Sequence, residues 1–192
     1  EYNTQSRQAV FYFGVKLNSG KSNIETDTLY YDAPKSQAHF KGPTTIVSNG
    51  DVVKTQDGYF DTKKDKVELF SRSTITSKEK VITGDTLYRD KKTGIGQGYG
   101  NVIYVDKKNK NELHANVFVY NEKTGKGFAT KKALLKDYSQ GDTLFMHADS
   151  LKIETMHINT DSAYRKVHAF RHVIAYRKDV QAICDSLVAN GK

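Results

Sequence analysis

The chain of 192 residues contains no tryptophan, two prolines, two methionines and one cysteine, Cys184. One thiol permits no intrachain disulfide, so a cysteine framework is excluded and the redox compartment stays undecided. Cys184 reads as a structural thiol rather than a catalytic one. No run approaches the roughly 18 consecutive apolar residues of a membrane-spanning helix. There is no nucleophile elbow, phosphate-binding glycine loop or dinucleotide fingerprint, so the commonest signatures of an enzyme are missing. No secretory leader precedes Glu1-Tyr2-Asn3, and a chain opening without Met is open to having been trimmed, so that absence excludes no compartment.

Hydrophobic residues make up 37% of the chain, yet 12 are Tyr and 9 are Phe. That balance favours β-structure around a narrow core. The 30 Lys and Arg outnumber 22 Asp and Glu, giving a net charge of +8 and a pI near 9.3, which attracts polyanions. The excess is dispersed over the pairs Lys63-Lys64, Lys91-Lys92, Lys107-Lys108 and Lys131-Lys132. Most of these fall at predicted turns, where solvated hairpin tips and edge protection account for them. No nucleic-acid-binding module accompanies the charge, so no nucleic acid is expected as a partner.

What the chain has in abundance is itself. Gly84-Asp85-Thr86-Leu87-Tyr88-Arg89-Asp90 is echoed by Asp27-Thr28-Leu29-Tyr30-Tyr31-Asp32, by Asp142-Thr143-Leu144-Phe145-Met146-His147 and, faintly, by Asp185-Ser186-Leu187-Val188, with relatives at Asp57 and Ala115. Ahead of these, Leu17, Ile46, Ile75, Ile103 and Leu134 recur at 29, 29, 28 and 31 residues. A steady period means stacked copies of one supersecondary unit, here two strands of about 6 to 8 residues joined by polar turns. Asn49-Gly50-Asp51, Gln56-Asp57-Gly58, Thr124-Gly125-Lys126 and Gln140-Gly141-Asp142 supply turn chemistry. Register with the other repeats assigns Ala129 to Asp137 as strand; Asp179 to Ala189 fits strand or helix equally. Aligned copies put Leu29, Tyr59, Leu87, Val117, Leu144 and Leu187 in one inward column. Tyr30, Phe60, Tyr88, Phe118 and Phe145 then face the other way.

The Gly-Asp-Thr-Leu-Tyr-x-Asp strands at 84 to 90, 141 to 147 and 26 to 32, paired with Phe-x-Gly-x-x-x-Ile strands such as 40 to 46, resemble the OstA-like, LptA-type family of lipopolysaccharide-transport proteins. Asp179-Val180-Gln181-Ala182-Ile183-Cys184-Asp185-Ser186-Leu187 looks particularly like its Bacteroides-type members. The likeness covers roughly residues 9 to 190. It implies an all-β fold, an open β-jellyroll or β-taco built from stacked two-strand repeats of about 28–30 residues. It further implies a single elongated domain over 1–192, a non-enzymatic periplasmic protein in outer-membrane assembly, possession of no cofactor, and lipopolysaccharide or lipid A as ligand. Other OstA-like jellyrolls, or further copies of this chain, would join by edge-strand pairing. The sequence departs from the family in an insertion around Thr155 to Lys166 and in ending just after a repeat has begun, which would leave the C-terminal edge truncated.

Lipid binding needs an apolar trough, since each buried methylene contributes about 0.8 kcal/mol. Leu29, Ile46, Ile75, Leu87, Ile103, Val117, Leu134 and Leu144 are the residues expected there. Closing on one another as a dry core is the plainer role for each. Arg72, Lys132 and Arg171, two positions before the Ile column, are expected near a groove mouth, where they could meet phosphates of the head group. His147 and Asp149 share a strand face without an indicated third ligand, so no metal is expected. Asp27, Asp57, Asp85 and Asp142 fall where turn hydrogen bonding would explain them. The alternative to a lipid carrier is a structural β-solenoid or adhesin-like scaffold with a filled core and no ligand. An enclosed apolar cavity would favour the first and a filled interior the second.

Overall fold

The computed structural model describes residues 1–18, 22–158 and 160–191. Fifteen strands follow one another: β1 (Tyr2–Asn3), β2 (Gln8–Asn18), β3 (Ser22–Asp32), β4 (Gln37–Ser48), β5 (Asp51–Asp61), β6 (Lys66–Leu69), β7 (Ser73–Thr76), β8 (Lys80–Gly84), β9 (Thr86–Asp90), β10 (Ile95–Asp106), β11 (Asn111–Asn121), β12 (Lys126–Asp137), β13 (Leu144–Met156), β14 (Tyr164–Arg177) and β15 (Val180–Asn190). All belong to one antiparallel sheet in near-sequential order, with β6/β7 and β8/β9 as two rungs broken in the middle. The β assignment holds, including Ala129 to Asp137 within β12. The open segment at 179 to 189 is strand β15, whose backbone is paired with β14 from Arg177↔Val180 to Lys166↔Asn190.

Strand alternation explains the local structure. In β3, the inward residues Ile24, Thr26 and Leu29 are buried while their neighbours meet solvent. Reversals are made two ways. Asn49 and Gly50 take positive φ of 51° and 83°, the two-residue hairpin geometry that Asn-Gly favours. Elsewhere Asp32, Asp61, Asp90, Asp106 and Asn121 end their strands and accept hydrogen bonds from backbone N–H groups two or three residues on. The N–H groups of Lys35 and Thr93 hold the Asp32 and Asp90 carboxyls below the usual range.

These turn-capping acids are not the ones the repeat suggested. Asp27 lies in mid-strand and Asp85 in the break between β8 and β9, each at a sharp bend. Every rung is kinked by a bulge, two residues on one strand facing one on the next: Phe13-Gly14 against Asp27, Gly42-Pro43 against Gln56, Gly100-Asn101 against Asn116, Lys131-Lys132 against Asp149, and Arg171-His172 against Asp185. Several of these residues take positive φ. The Gln56-Asp57-Gly58 segment is therefore a bend inside β5 and not a reversal.

The bends align into a crease, and the sheet folds along it into two arms. Arm I contains residues 22–26, 44–48, 51–55, 102–106, 111–115, 133–137, 144–148 and 173–177, with β7 and β8. Arm II contains 28–32, 37–41, 57–61, 95–99, 117–121, 126–130, 150–156 and 164–170, with β6 and β9. Inner side chains of the arms pack on each other as two core clusters. One surrounds Leu29, Phe40, Ile46, Phe60, Leu69 and Leu87, the other Tyr104, Phe118, Leu135, Met146, Leu151 and Val173. Ile82 touches both. Outside arm II, an aromatic row runs Tyr30, His39, Tyr59, Phe70, Tyr88, Tyr99, with ring centroids 4.2–6.3 Å apart. Cross-strand ring pairs of this kind stabilise the sheet.

Candidate functional site

Between the arms a packed, mainly apolar interior runs along the stack, closed at the crease and bridged by charged side chains along the lips. Its floor changes character along the way. From β3 to β7 the crease is lined by the buried hydroxyls of Thr26, Thr44, Thr55 and Ser73. Thr26 and Thr44 oxygens are 2.8 Å apart, Ser73 donates to Thr55 at 2.7 Å, and Thr44 donates to the Gly42 carbonyl at 2.8 Å. Side-chain hydroxyls thus satisfy each other and backbone groups that the bulges release from the ladder. From β10 onward the same line is Val102, Ala115, Ala133, Ala148 and Val173, all buried and apolar.

Of the residues expected in the groove, Leu29, Ile46, Ile75 and Leu87 point inward and are 0–6% exposed. Ile103, Val117 and Leu134 do not. Their neighbours Val102, Tyr104, Phe118, Ala133 and Leu135 take the interior, and the three lie half-buried on the outer face. The cause is a slip of one residue, which reverses every side chain of a strand. Tyr59 is displaced in the same way: Gly58 faces inward because Phe40 and Leu69 leave no room, and a Cβ at that position would stand 2.9 Å from Phe40 and 3.0 Å from Leu69. Leu144 sits half-buried at the C-terminal lip of arm I, and Leu151 holds the inward place instead. Phe60 and Phe118, expected outward, are core residues.

Arg72, Lys132 and Arg171 need a parallel correction. They are on the crease, across the molecule from the lips. Arg72 donates to Asp85 Oδ1 and the Asn101 carbonyl, both at 2.9 Å, tying one bend to the next. Lys132 and Arg171 have φ of 64° and 61° and are exposed, because left-handed backbone at the bulge swings them away from the interior. Elsewhere Glu112 gathers His114, Lys136 and Tyr138 on the outer face, a charge-compensated cluster rather than a metal site. Asp149 accepts from His172 Nδ1 at 3.0 Å, apart from His147, and no group of three or more His, Cys, Asp or Glu able to hold a metal occurs among the described residues. Among the same residues, no helix is long and apolar enough to cross a membrane.

The lips carry the charges that sequence reasoning passed over. Arg89 on arm II reaches Asp51 on arm I at 2.5 Å and lies 3.5 Å from Glu122, while Lys91 is 3.4 Å from Asp51. Farther along, Arg165 on arm II reaches Asp106 and Asn111 on arm I, both at 2.7 Å. Asp106 is only 1% exposed. Burial would raise its pKa, but the Asn109 N–H and the Arg165 guanidinium outweigh that and hold it below the usual range. Burial likewise would lower Arg165, and Tyr104 and Asp106 beside it keep it raised and charged. Lys80 of arm I stands 5.4 Å over the Tyr120 ring of arm II. A signal for Arg89 was present: four residues past each bend the inner positions are Tyr31, Phe60, Arg89, Tyr120 and Ile153, so one cation interrupts an apolar column.

Beneath these bridges the interior is filled. An apolar recess of about 60 Å³ lies where the clusters meet, lined by Ile75, Ile82, Leu87, Tyr104, Phe118 and Tyr120. A second, beside Ile46, Val53 and Phe60, measures about 20 Å³. These have room for water-sized guests and not for an acyl chain. Two larger polar cavities, of about 270 and 720 Å³, open along the C-terminal lips. No protein-family model matches the chain, and no curated protein matches it in sequence.

Proposed function

We propose that the protein is a non-enzymatic carrier of the acyl chains of lipopolysaccharide or lipid A, working in the periplasm, with the space between the arms as the cargo site. The observation that carries this reading is a mainly apolar interior, walled by two arms and bounded along its outer side by ion pairs whose cations an anionic head group could engage. Arg89, Lys91, Lys80 and Arg165 line that side and would face an anionic head group while apolar tails lie within. The sequence resemblance to the OstA-like proteins points the same way. Acyl burial offers about 0.8 kcal/mol per methylene toward covering again the apolar side chains that separate when cargo enters. Cargo would enter at the recess over Leu87 and Phe118 and displace inner contacts as it advances. Exposed strand edges would pass it onward by pairing with another jellyroll or a second copy.

A structural β-solenoid with a permanently filled core is the second reading, and the small size of the apolar recesses favours it. Photocrosslinking separates the two. A photoreactive residue at Ile75 or Leu87 is expected to capture lipopolysaccharide in cells, and one at outward Tyr88 or Lys54 is not. Capture from Leu87 no stronger than from Tyr88 would leave the scaffold as the better account.

A further inference from the structure

Arg165 lies in the insertion that sets the fifth rung apart from the other repeats. Between facing bends across an arm II hairpin the separation is 15 residues at Asp27 to Gly42, at Asp85 to Gly100 and at Asn116 to Lys131, but 22 at Asp149 to Arg171. The extra residues lengthen β13 and β14 and the turn between them, of which Asn159 is outside the described residues. They place Arg165 where it can span the mouth to Asp106 and Asn111, 59 and 54 positions away in sequence.

We infer that Arg165 is a releasable crossbar over the mouth, made by the insertion, that holds the two arms shut until cargo is loaded. Three observations converge. First, the bridge divides the mouth: Arg165 and Asn109 line both the 270 Å³ cavity, with Leu135, Val167 and Ala189, and the 720 Å³ cavity, with Lys80, Tyr120 and Tyr164. Withdrawal of one side chain joins them into a single trough above the apolar interior. Second, the seam is ionic directly above an apolar contact between the arms, as the Arg89–Asp51 bridge is farther along the lips. Tyr104 of arm I packs on Phe118 and Tyr120 of arm II at 5.0 and 6.1 Å just below it. A buried ion pair adds little net stability compared with apolar side chains of the same size, so an ionic join suits a contact that must come apart and hydrate. Third, the site is half-satisfied even when closed. Arg165 Nε is buried with no hydrogen-bond partner among the described residues, and the buried Tyr104 hydroxyl meets the Arg165 guanidinium without full hydrogen-bond geometry. That is a polar cost which an open, hydrated mouth would relieve.

This inference rests on the carrier reading for its purpose but not for its geometry, and the test keeps them apart. Spin labels are placed at the exposed lip positions Lys108→Cys and Ser162→Cys in a Cys184→Ser background. Their separation is measured in the parent and in the Arg165→Ala/Asp106→Asn variant, which leaves in the seam neither an orphan charge nor an apolar side chain long enough to replace the bridge. Uptake of cis-parinaric acid is followed in the same proteins. A longer, broader distance distribution and several-fold faster uptake in the variant are the expected results. Should the variant fold poorly, the parent lips are joined through the same two cysteines by a cleavable bifunctional thiol reagent. Uptake then falls severalfold and returns on cleavage. Unchanged distances, or uptake undiminished with the lips joined, overturn the crossbar. Opening without uptake in any form supports the crossbar and overturns the carrier reading alone.

Discussion

The stack from β2 to β9 and the stack from β10 to β15 reach the same bent rung by different chemistry. In the first, glycines 14 and 42 take the left-handed positions at the bends, and Thr26, Thr44, Thr55 and Ser73 line the crease with mutual hydrogen bonds. In the second, Gly100-Asn101, Lys131-Lys132 and Arg171-His172 hold left-handed backbone, which costs each side-chain-bearing residue about 1–2 kcal/mol as it does Phe13 in the first, and the crease is alanine and valine. The first half has short lips and a dense aromatic row outside. The second has long lips, polar cavities and a buried ion pair. The inner fold line can thus be lined by hydroxyls or by small apolar side chains, with hydrogen bonds such as His172 to Asp149 and Thr130 to the Asp149 carbonyl moved to the outside of the bend in the second half, the half whose mouth is elaborated.

Substitutions sharpen that contrast, beginning with the largest effect. Phe118→Ala removes a fully buried ring of the second cluster and is expected to cost about 3–5 kcal/mol in denaturant unfolding. Phe40→Ala should cost as much in the first cluster, and two separate transitions in either variant would show that the halves unfold independently. Gly42→Ala forces a side chain into φ of 85° and to 2.7 Å from Asp27 Oδ2, for a loss of about 2 kcal/mol or more. Lys132→Gly, at the equivalent bend of the second half, should instead stabilise by about 1 kcal/mol in thermal unfolding. Thr55→Val strips the hydroxyl to which Ser73 donates, at about 1–3 kcal/mol, an effect with no counterpart at Ala133.

Acid offers a fourth comparison. Asp106 has a folded pKa below its unfolded value, so its contribution is complete above about pH 4 and is lost as pH falls through the folded value. Stability of the parent should therefore decline in that window more steeply than that of the Arg165→Ala/Asp106→Asn variant, as followed by circular dichroism. Equal slopes would mean that the crossbar carboxylate contributes no linkage.

The repeat was legible because each rung buries alternate residues, and a period near 29 survives in Leu29, Ile46, Ile75 and Leu87. It misled by one residue at Tyr59 and Phe60 and more widely past residue 100, where the bends lie 29, 31, 33 and 36 residues apart from Gln56 to Asp85, Asn116, Asp149 and Asp185. A single added residue turns Val117 outward and Phe118 inward, and composition cannot distinguish two adjacent apolar residues. The bulges were hidden for a related reason. Lys131-Lys132 and Arg171-His172 carry none of the glycine that marks a left-handed position, so they read as ordinary charged surface. Arg165 could not be found from spacing at all, because its partners lie more than fifty residues away.

The adjacent pair at 117 and 118 also provides the most direct test of the carrier, since the chain has no native tryptophan. Each is replaced in turn by tryptophan, and lipid A with brominated acyl chains is titrated in as a quencher. Phe118→Trp should emit at short wavelength and be quenched at saturation, while Val117→Trp emits at longer wavelength and is untouched. Quenching of both alike, or of neither, would contradict an interior that accepts acyl chains.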